Sequence, residues 1–366
     1  MNRQPSVSII PPVWFVSIIN RFRFFLKKLY YRFTPAGMAV FEKSQGFWLS
    51  KALGVACELN LAEIIGDKEM DVQEIARKAN AAPQALYRLM RALAGECVFK
   101  ETKSGFFKNT KLSYALREAP GNPKYMILHQ LNDMNWTLVN ELKSSVVTGK
   151  SSAFKVFGTD AFSHLENSPE KNELYNKAMT ATIGLLSNAV VSAYSFKGID
   201  TLADIGGGEG SFLFKLMEKN PGLKGILFDL SHVVATAGKI AGEYGVKDRV
   251  EIIPGNFFDM DIPVADAYLL KNILHIFDDE TCVLLLKRIG QVIPEEGKIL
   301  ILETVIQPDN KPHFGKMFDL EMLLGTERGK ERTEEEFRQL FKEAGFKLTR
   351  VVKTVSPFSV VEGRKI

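Results

Sequence analysis

A chain of 366 residues, 46% hydrophobic and 25% charged, is long enough for a sizeable core and for two domains. Its three cysteines, Cys57, Cys97 and Cys282, are scattered and odd in number, which excludes a disulfide framework or zinc cluster and makes a reducing cytoplasm the expected compartment. The net charge of +4 comes from one end, where Arg3, Arg21, Arg23, Lys27, Lys28 and Arg32 all precede the first acidic residue, Glu42; the remainder is slightly acidic, which argues against nucleic acid as a partner.

Residues 1–41 thus form a basic N-terminal segment. Phe15, Ile18, Ile19, Phe22, Leu26, Leu29 and Phe33 fall at helical spacing, with basic residues largely between them. No uncharged run approaches the ~20 residues that span a bilayer. Pro11-Pro12 interrupts a signal-peptide core, and no cleavage site follows. Two readings stay open: a helix lying on an anionic membrane surface, or one whose apolar face packs on a second subunit.

Residues 42–118 read as helices followed by a hairpin. "DVQEIARKA" and "APQALYRLMRALAGECV" carry apolar residues three and four apart, and strand-like "FKETKSGFFKNTKLSYAL" turns at Ser104-Gly105. Two helices and a wing make a winged helix, a module that can read DNA. Its second helix, however, offers only Arg88 and Arg91 beside Leu86, Leu89, Met90 and Leu93. Packing is the better reading.

Residues 119–196 are helical, including a long helix that starts after the Ser168-Pro169 step and carries Asn176 and Met179 in its central turns. Met134, Trp136 and Phe162 are either ordinary core or, with Asn176 and Met179, the lining of an apolar substrate pocket. Residues 197–366 change rhythm. "TLADIG", "GILFDL", "VEIIPG", "ADAYLLK" and "KILILETVI" alternate with helical patterns, which predicts a doubly wound parallel α/β sheet. Ligands of such sheets bind beyond the carboxyl ends of the strands.

The stretch "LADIGGGEGSF" sits at one such end. Gly206, Gly208 and Gly210 give G-x-G-x-G, whereas the dinucleotide fingerprint needs G-x-G-x-x-G, and no Gly-Lys-Ser/Thr follows to make a P-loop. Asp204 would repel a pyrophosphate there. Asp229, 19 residues after Gly210, can bond both hydroxyls of a ribose. A ligand with an adenosyl part and a cationic amino group fits, and S-adenosyl-L-methionine meets these demands better than NAD.

With these residues in place the chain, from about Gly46 onward, resembles the small-molecule O-methyltransferases of the plant caffeate and isoflavone type, with their bacterial and animal hydroxyindole relatives. The resemblance implies an intertwined homodimer made by the N-terminal domain and a seven-stranded class I methyltransferase sheet in the C-terminal domain. It further implies cofactor binding by Asp204, Gly206, Gly208, Asp229 in "FDLSHV", Asn256 with Phe257, and Lys271. His275 in "LLKNILHIFDDE" matches the catalytic base, and Glu303 in "LILETVI" and Glu331 in "GKERTEEEF" match the acids that orient it. Two positions depart from the family. Asn256 stands where an aspartate commonly meets the adenine amine, and its carbonyl can still accept that bond. His275-Ile276-Phe277 replaces His-Asp-Trp.

The expected reaction is methyl transfer to a hydroxyl of a small apolar, aromatic molecule, with no metal. A phenol has pKa ~10 and an unperturbed histidine ~6.5, so His275 can take the proton as the oxygen attacks. Glu303 or Glu331 at the far ring nitrogen would fix the tautomer. The alternatives are a non-methylating use of the cofactor (hydroxylation, decarboxylation or a pericyclic step) and a ligand-sensing winged-helix DNA-binding regulator.

Overall fold

The computed structural model describes residues 11–366, so Arg3 lies outside the described residues. The apolar runs after Gly198 form strands β1 (Thr201–Ile205), β2 (Lys224–Asp229), β3 (Val250–Pro254), β4 (Ala267–Lys271) and β5 (Lys298–Ile306). Two more, β6 (Phe346–Lys353) and β7 (Phe358–Lys365), complete a sheet of order β6-β7-β5-β4-β1-β2-β3. β1 to β5 pair in parallel, while β7 runs antiparallel to both β5 and β6. This closing hairpin is not among the five apolar runs that stand out in the sequence. In β6 buried Phe346 and Leu348 alternate with exposed Lys347 and Thr349, the weaker signature of a strand at the sheet edge.

Parallel strands buried on both faces need apolar residues at every position, and alternate side chains go to opposite layers. Ala203, Ile205, Phe228, Tyr268, Leu270 and Ile301 pack with Leu285, Leu286, Phe337 and Phe341. Leu202, Leu227, Leu269, Leu300 and Leu302 pack on the other face with Phe212, Leu213, Leu216 and Val190. β1 neighbours both β2 and β4, so the strand order reverses between β1 and β4. The crevice at such a switch point is where open α/β sheets bind ligands. The glycine loop follows β1, Lys271 ends β4, and His275 lies just beyond it.

The winged-helix reading holds with two changes. Asp71 caps Val72–Lys78 by accepting from the Gln73 N–H, Pro83 opens Pro83–Gly95, and the wing pairs Phe99–Lys103 with Phe106–Asn109. A short third strand, Met70–Asp71, joins that wing. The strand-like pattern ends at Asn109, because Thr110 and Ser113 form a reciprocal capping box that starts the Lys111–Tyr114 helix. Leu61, Ile75, Leu86, Met90, Phe99 and Phe107 make the core here. The N-terminal Val13–Phe33 helix buries none of its residues, and all seven apolar residues of its predicted face are exposed.

The segment 119–196 contains helices from Lys124–Gln130 to Pro169–Ala193, but it is not a separate body. One compact unit comprises the described chain up to Phe25, Glu141–His164 and Ile183–Ile366; the other comprises Leu26–Asn140 and Leu165–Thr182.

Candidate active site

The loop after β1 is shaped by what lies under it. Asp204 is fully buried, and a Cβ at Gly207 would stand 2.8 Å from its Oδ2. Only glycine tolerates that approach. Gly208 has φ +64°, and a Cβ there would meet nothing within 4 Å, so its backbone borders open space. Its N–H donates to Asp229 Oδ2 at 2.7 Å, while the Leu230 N–H donates to Oδ1 at 2.7 Å. Asp229 is thereby fixed across the loop, with lone pairs left on both oxygens. Burial raises its pKa, against those two bonds, which lower it.

Neither Asp204 oxygen has a hydrogen-bond partner among the described residues. Burial pushes this carboxyl up to about 7, opposed by Lys271 and reinforced by Asp229. Burial likewise lowers the Lys271 ammonium while Asp204 raises it. A buried carboxylate without a donor, directly under an open glycine backbone, fits a ligand that brings positive charge. S-adenosyl-L-methionine carries both an ammonium and a sulfonium. Asp204 is buried beneath the loop and shapes it through the close approach of Gly207.

Asn256 has a structural duty beside the ligand contact expected of it. Its Oδ1 accepts the Phe258 N–H at 2.9 Å and so holds its own turn, leaving one carbonyl lone pair and the amide for a ligand. Phe257 lies against Gly206, its ring 3.6 Å from a Cβ built there. Phe277, the departure beside His275, meets the rings of Phe257 and Phe258 at 6.3 and 5.4 Å. The substituted residue packs the cofactor side.

His275 sits in the single turn Leu274–Ile276, just beyond β4, and is buried. Its Nδ1 lies 2.7 Å from Glu331 Oε1. Of the two acids expected at the ring, only Glu331 touches it; Glu303 instead accepts the backbone N–H of His275 at 3.0 Å. Burial alone would lower the imidazole pKa, but the bond to Glu331 and the charges of Glu303 and Glu331 outweigh it and leave it raised. A carboxylate at Nδ1 requires the proton there, so Nε2 presents its lone pair. Glu303 is itself raised, first by burial.

Sequence reasoning missed the residues that hold this turn. Arg332 is fully buried; it donates to the carbonyls of Leu274 and Phe277, each at 2.8 Å, and pairs with Asp279 through Nε and Nη2. Gly329 approaches so closely that a Cβ would stand 2.2 Å from the His275 carbonyl. Thr304 donates to the second oxygen of Glu331, and Asp319 accepts the Glu331 N–H at 2.8 Å. The signal was the stretch "GKERT": a glycine, an acid, a base and a cap, each with a separate contact.

The acceptor-side candidates are not all in one unit. Phe162 belongs to the unit of His275, whereas Met134, Trp136, Asn176 and Met179 belong to the other. Met134 is buried and Asn176 is exposed. Trp136 buries its Nε1 without a hydrogen-bond partner among the described residues.

This arrangement of switch-point loop, acidic strand end and clamped histidine has relatives. The O-methyltransferase domain family matches residues 139–347, and the O-methyltransferase dimerisation domain matches residues 41–118. The chain belongs to the O-methyltransferase family. It is 36% identical to a phenazine O-methyltransferase of Lysobacter antibioticus, over 91% of this chain and 97% of that protein. It is 32% identical to a mitomycin biosynthesis 6-O-methyltransferase of Streptomyces lavendulae, over 88% and 92%. Human N-acetylserotonin methyltransferase, solved in complex with SAM, superposes with a TM-score of 0.83 and 26% identity, over 91% of this chain and 98% of that one. The enzyme is an S-adenosyl-L-methionine-dependent O-methyltransferase with a class I sheet and a separate N-terminal dimerisation domain. Among the described residues no helix is long and apolar enough to cross a membrane.

Proposed function

We propose that this methyltransferase acts on a hydroxyl of a small aromatic molecule and that His275 is its general base. The observation that carries the reading is the 2.7 Å contact between Nδ1 and Glu331, which leaves Nε2 to take the acceptor proton. When bound, S-adenosyl-L-methionine supplies a methyl group already activated on a sulfonium. Asp229 would hold its ribose, Asn256 and Phe257 its adenine, and Gly206, Gly208 and Lys271 its remaining length beside Asp204. His275 removes the hydroxyl proton as the oxygen attacks, and Glu331 stabilises the resulting imidazolium. Glu303 fixes the turn through the His275 N–H and adds negative charge.

Relatives named for phenazine, 3-amino-4-hydroxybenzoate and myricetin O-methylation support an aromatic acceptor, as does the Phe318 ring 5.7 Å from that of His275. Phenols, quinols and polyketides should be screened with radiolabelled cofactor. Intact cofactor binding without label transfer to any of them would sink this reading and favour a non-methylating reaction.

We infer that the enzyme is an intertwined homodimer and that residues 42–118 are its dimerisation domain. The match of residues 41–118 and the exposed Phe15, Phe22, Phe33, Phe41 and Trp48 support this. The free thiols of Cys57, Cys97 and Cys282 suit a cytoplasmic enzyme. Light scattering at micromolar concentration should give a dimer; monomer alone refutes it. The basic Val13–Phe33 helix also suits peripheral contact with anionic lipid, and equal liposome flotation of full-length and truncated protein would exclude that contact.

A further inference from the structure

The Phe314–Gly325 helix carries a carboxylate that the mechanism above does not use. Phe314, Phe318 and Glu321 are four and three residues apart and share one face of this helix. The Phe314 and Phe318 rings meet at 5.2 Å, and Phe318 lies 5.7 Å from the His275 ring. One residue further on, Asp319 accepts the Glu331 N–H, so the helix is tied to the catalytic turn at two points. Glu321, one turn beyond Phe318, therefore projects on the His275 side.

Its surroundings are unusual for an acid. The side chain is partly accessible, and its neighbours Met322 and Leu324 are buried. Its carboxyl makes no hydrogen bond or ion pair among the described residues. Burial pushes it up to about 7; His275 opposes this and Glu331 adds to it, which places Glu321 within electrostatic reach of both. Unpartnered in the protein and partly accessible, this carboxyl keeps its accepting lone pairs open to a donor on the Phe318 side. Glu303, Glu331 and Glu321 also make the ground around His275 acidic, with Lys271 the cation that its charge meets.

We propose that Glu321 is a specificity-determining residue, whose carboxyl receives an amine or hydroxyl donor carried on the acceptor ring away from the oxygen that faces His275. This rests on the reading that His275 faces that oxygen. The acceptor is then an aromatic alcohol with a second hydrogen-bond donor, and a ring carrying an anionic substituent in that place is rejected.

The test uses matched phenols, 3-aminophenol against 3-methylphenol, with 3-hydroxybenzoate as the anionic arm, on the wild type, E321Q and E321L. Binding to enzyme loaded with S-adenosylhomocysteine is measured by calorimetry, which needs no turnover. A donor bonded to a charged partner corresponds to about tenfold or more in affinity, so the wild type should prefer 3-aminophenol by that factor and bind 3-hydroxybenzoate worst. E321L should bring the amine and methyl compounds together, and E321Q should keep part of the preference through its amide oxygen. In turnover the amine should show the effect as a raised KM, with the ratio of kcat values for the two phenols preserved. Equal binding of the pair by the wild type, no binding of the amine, or an equal fall in kcat for both phenols in E321L overturns the proposal. A binding preference that holds while H275A methylates both phenols at the wild-type rate overturns instead the reading that His275 faces the acceptor oxygen.

Discussion

The ends of β1 and β4 lie side by side in the sheet yet are finished differently. The groups that clamp the His275 turn are engaged with one another. Arg332 bonds two carbonyls and Asp279, and both oxygens of Glu331 are taken, one by His275 and one by Thr304. Around the glycine loop, both oxygens of Asp204 are buried without partners among the described residues. A base must be held in one orientation before substrate arrives, so its support is complete in the protein alone. A cofactor loop can leave charges unanswered, because its ligand answers them. Glu303 marks the border, with one oxygen on the His275 N–H and the other unpaired.

The sharpest way to break this comparison is to remove the base. His275→Ala should lower turnover by ~10²–10⁴-fold, the usual loss for a general base. Cofactor affinity should change little, because none of the groups proposed to hold it, at the ends of β1 to β4, uses the imidazole. Raising the pH toward the phenol pKa of ~10 should partly restore the rate, since solvent then supplies phenolate. Wild-type turnover by this variant at neutral pH would show that another group ionises the acceptor.

Removing the support rather than the base should cost less. Glu331→Gln is expected to lower the plateau rate by ~10–100-fold, the scale seen when a partner that orients an imidazole is lost. Its sharper mark is the pH profile. His275 acts unprotonated, and its pKa is raised above the ordinary 6.5, so wild-type kcat/KM should fall as pH drops through a value above 6.5. Without Glu331 the lowering effect of burial is less opposed, and this limb should move to lower pH. The stability sign runs the other way. A raised folded pKa stabilises the fold fully below the unfolded value and ceases to as pH rises through the folded one. The thermal deficit of Glu331→Gln should therefore be larger on the acid side. An unshifted limb would mean that Glu331 does not set the His275 pKa.

Much of this was legible in the sequence. Short, mostly apolar runs alternating with helical patterns pointed to a parallel sheet, and the glycines, Asp229 and His275 stood at their ends. What stayed hidden depends on contacts distant in the chain. The division of labour between Glu303 and Glu331 follows from β5 lying beside β4 while residues 329–333 return to the end of β5. Arg332 has no sequence signature, because nothing local shows that it will meet two carbonyls 55 and 58 residues away. Lys111–Tyr114 looked extended because its alternating pattern outlasted the wing, yet a Thr110–Ser113 cap was enough to turn it into helix. Glu321 escaped notice for a plainer reason: one of the two acids in "FDLEMLLG" has no signature until Phe318 shows which way the helix faces.

The smallest expected effect probes the unfinished side. Asp229 accepts the Gly208 and Leu230 N–H groups and keeps lone pairs for ribose hydroxyls, whereas Asn256 spends one carbonyl lone pair on its own turn. Bonds to a charged acceptor contribute ~1.5–3 kcal/mol and neutral ones ~0.5–1.5. Asp229→Ala should therefore weaken S-adenosyl-L-methionine binding more than Asn256→Ala, by calorimetric titration. Part of the Asp229 loss is indirect, since the Gly208 N–H also loses its partner and the loop its brace. Asp229→Asn separates the two contributions. It keeps a carbonyl oxygen for one of the backbone donors but removes the charge that strengthens the ribose bonds, so its affinity should fall between the wild type and Asp229→Ala. If Asn256→Ala proves the more damaging change, the adenine end dominates and the β2 end is not where the ribose is held.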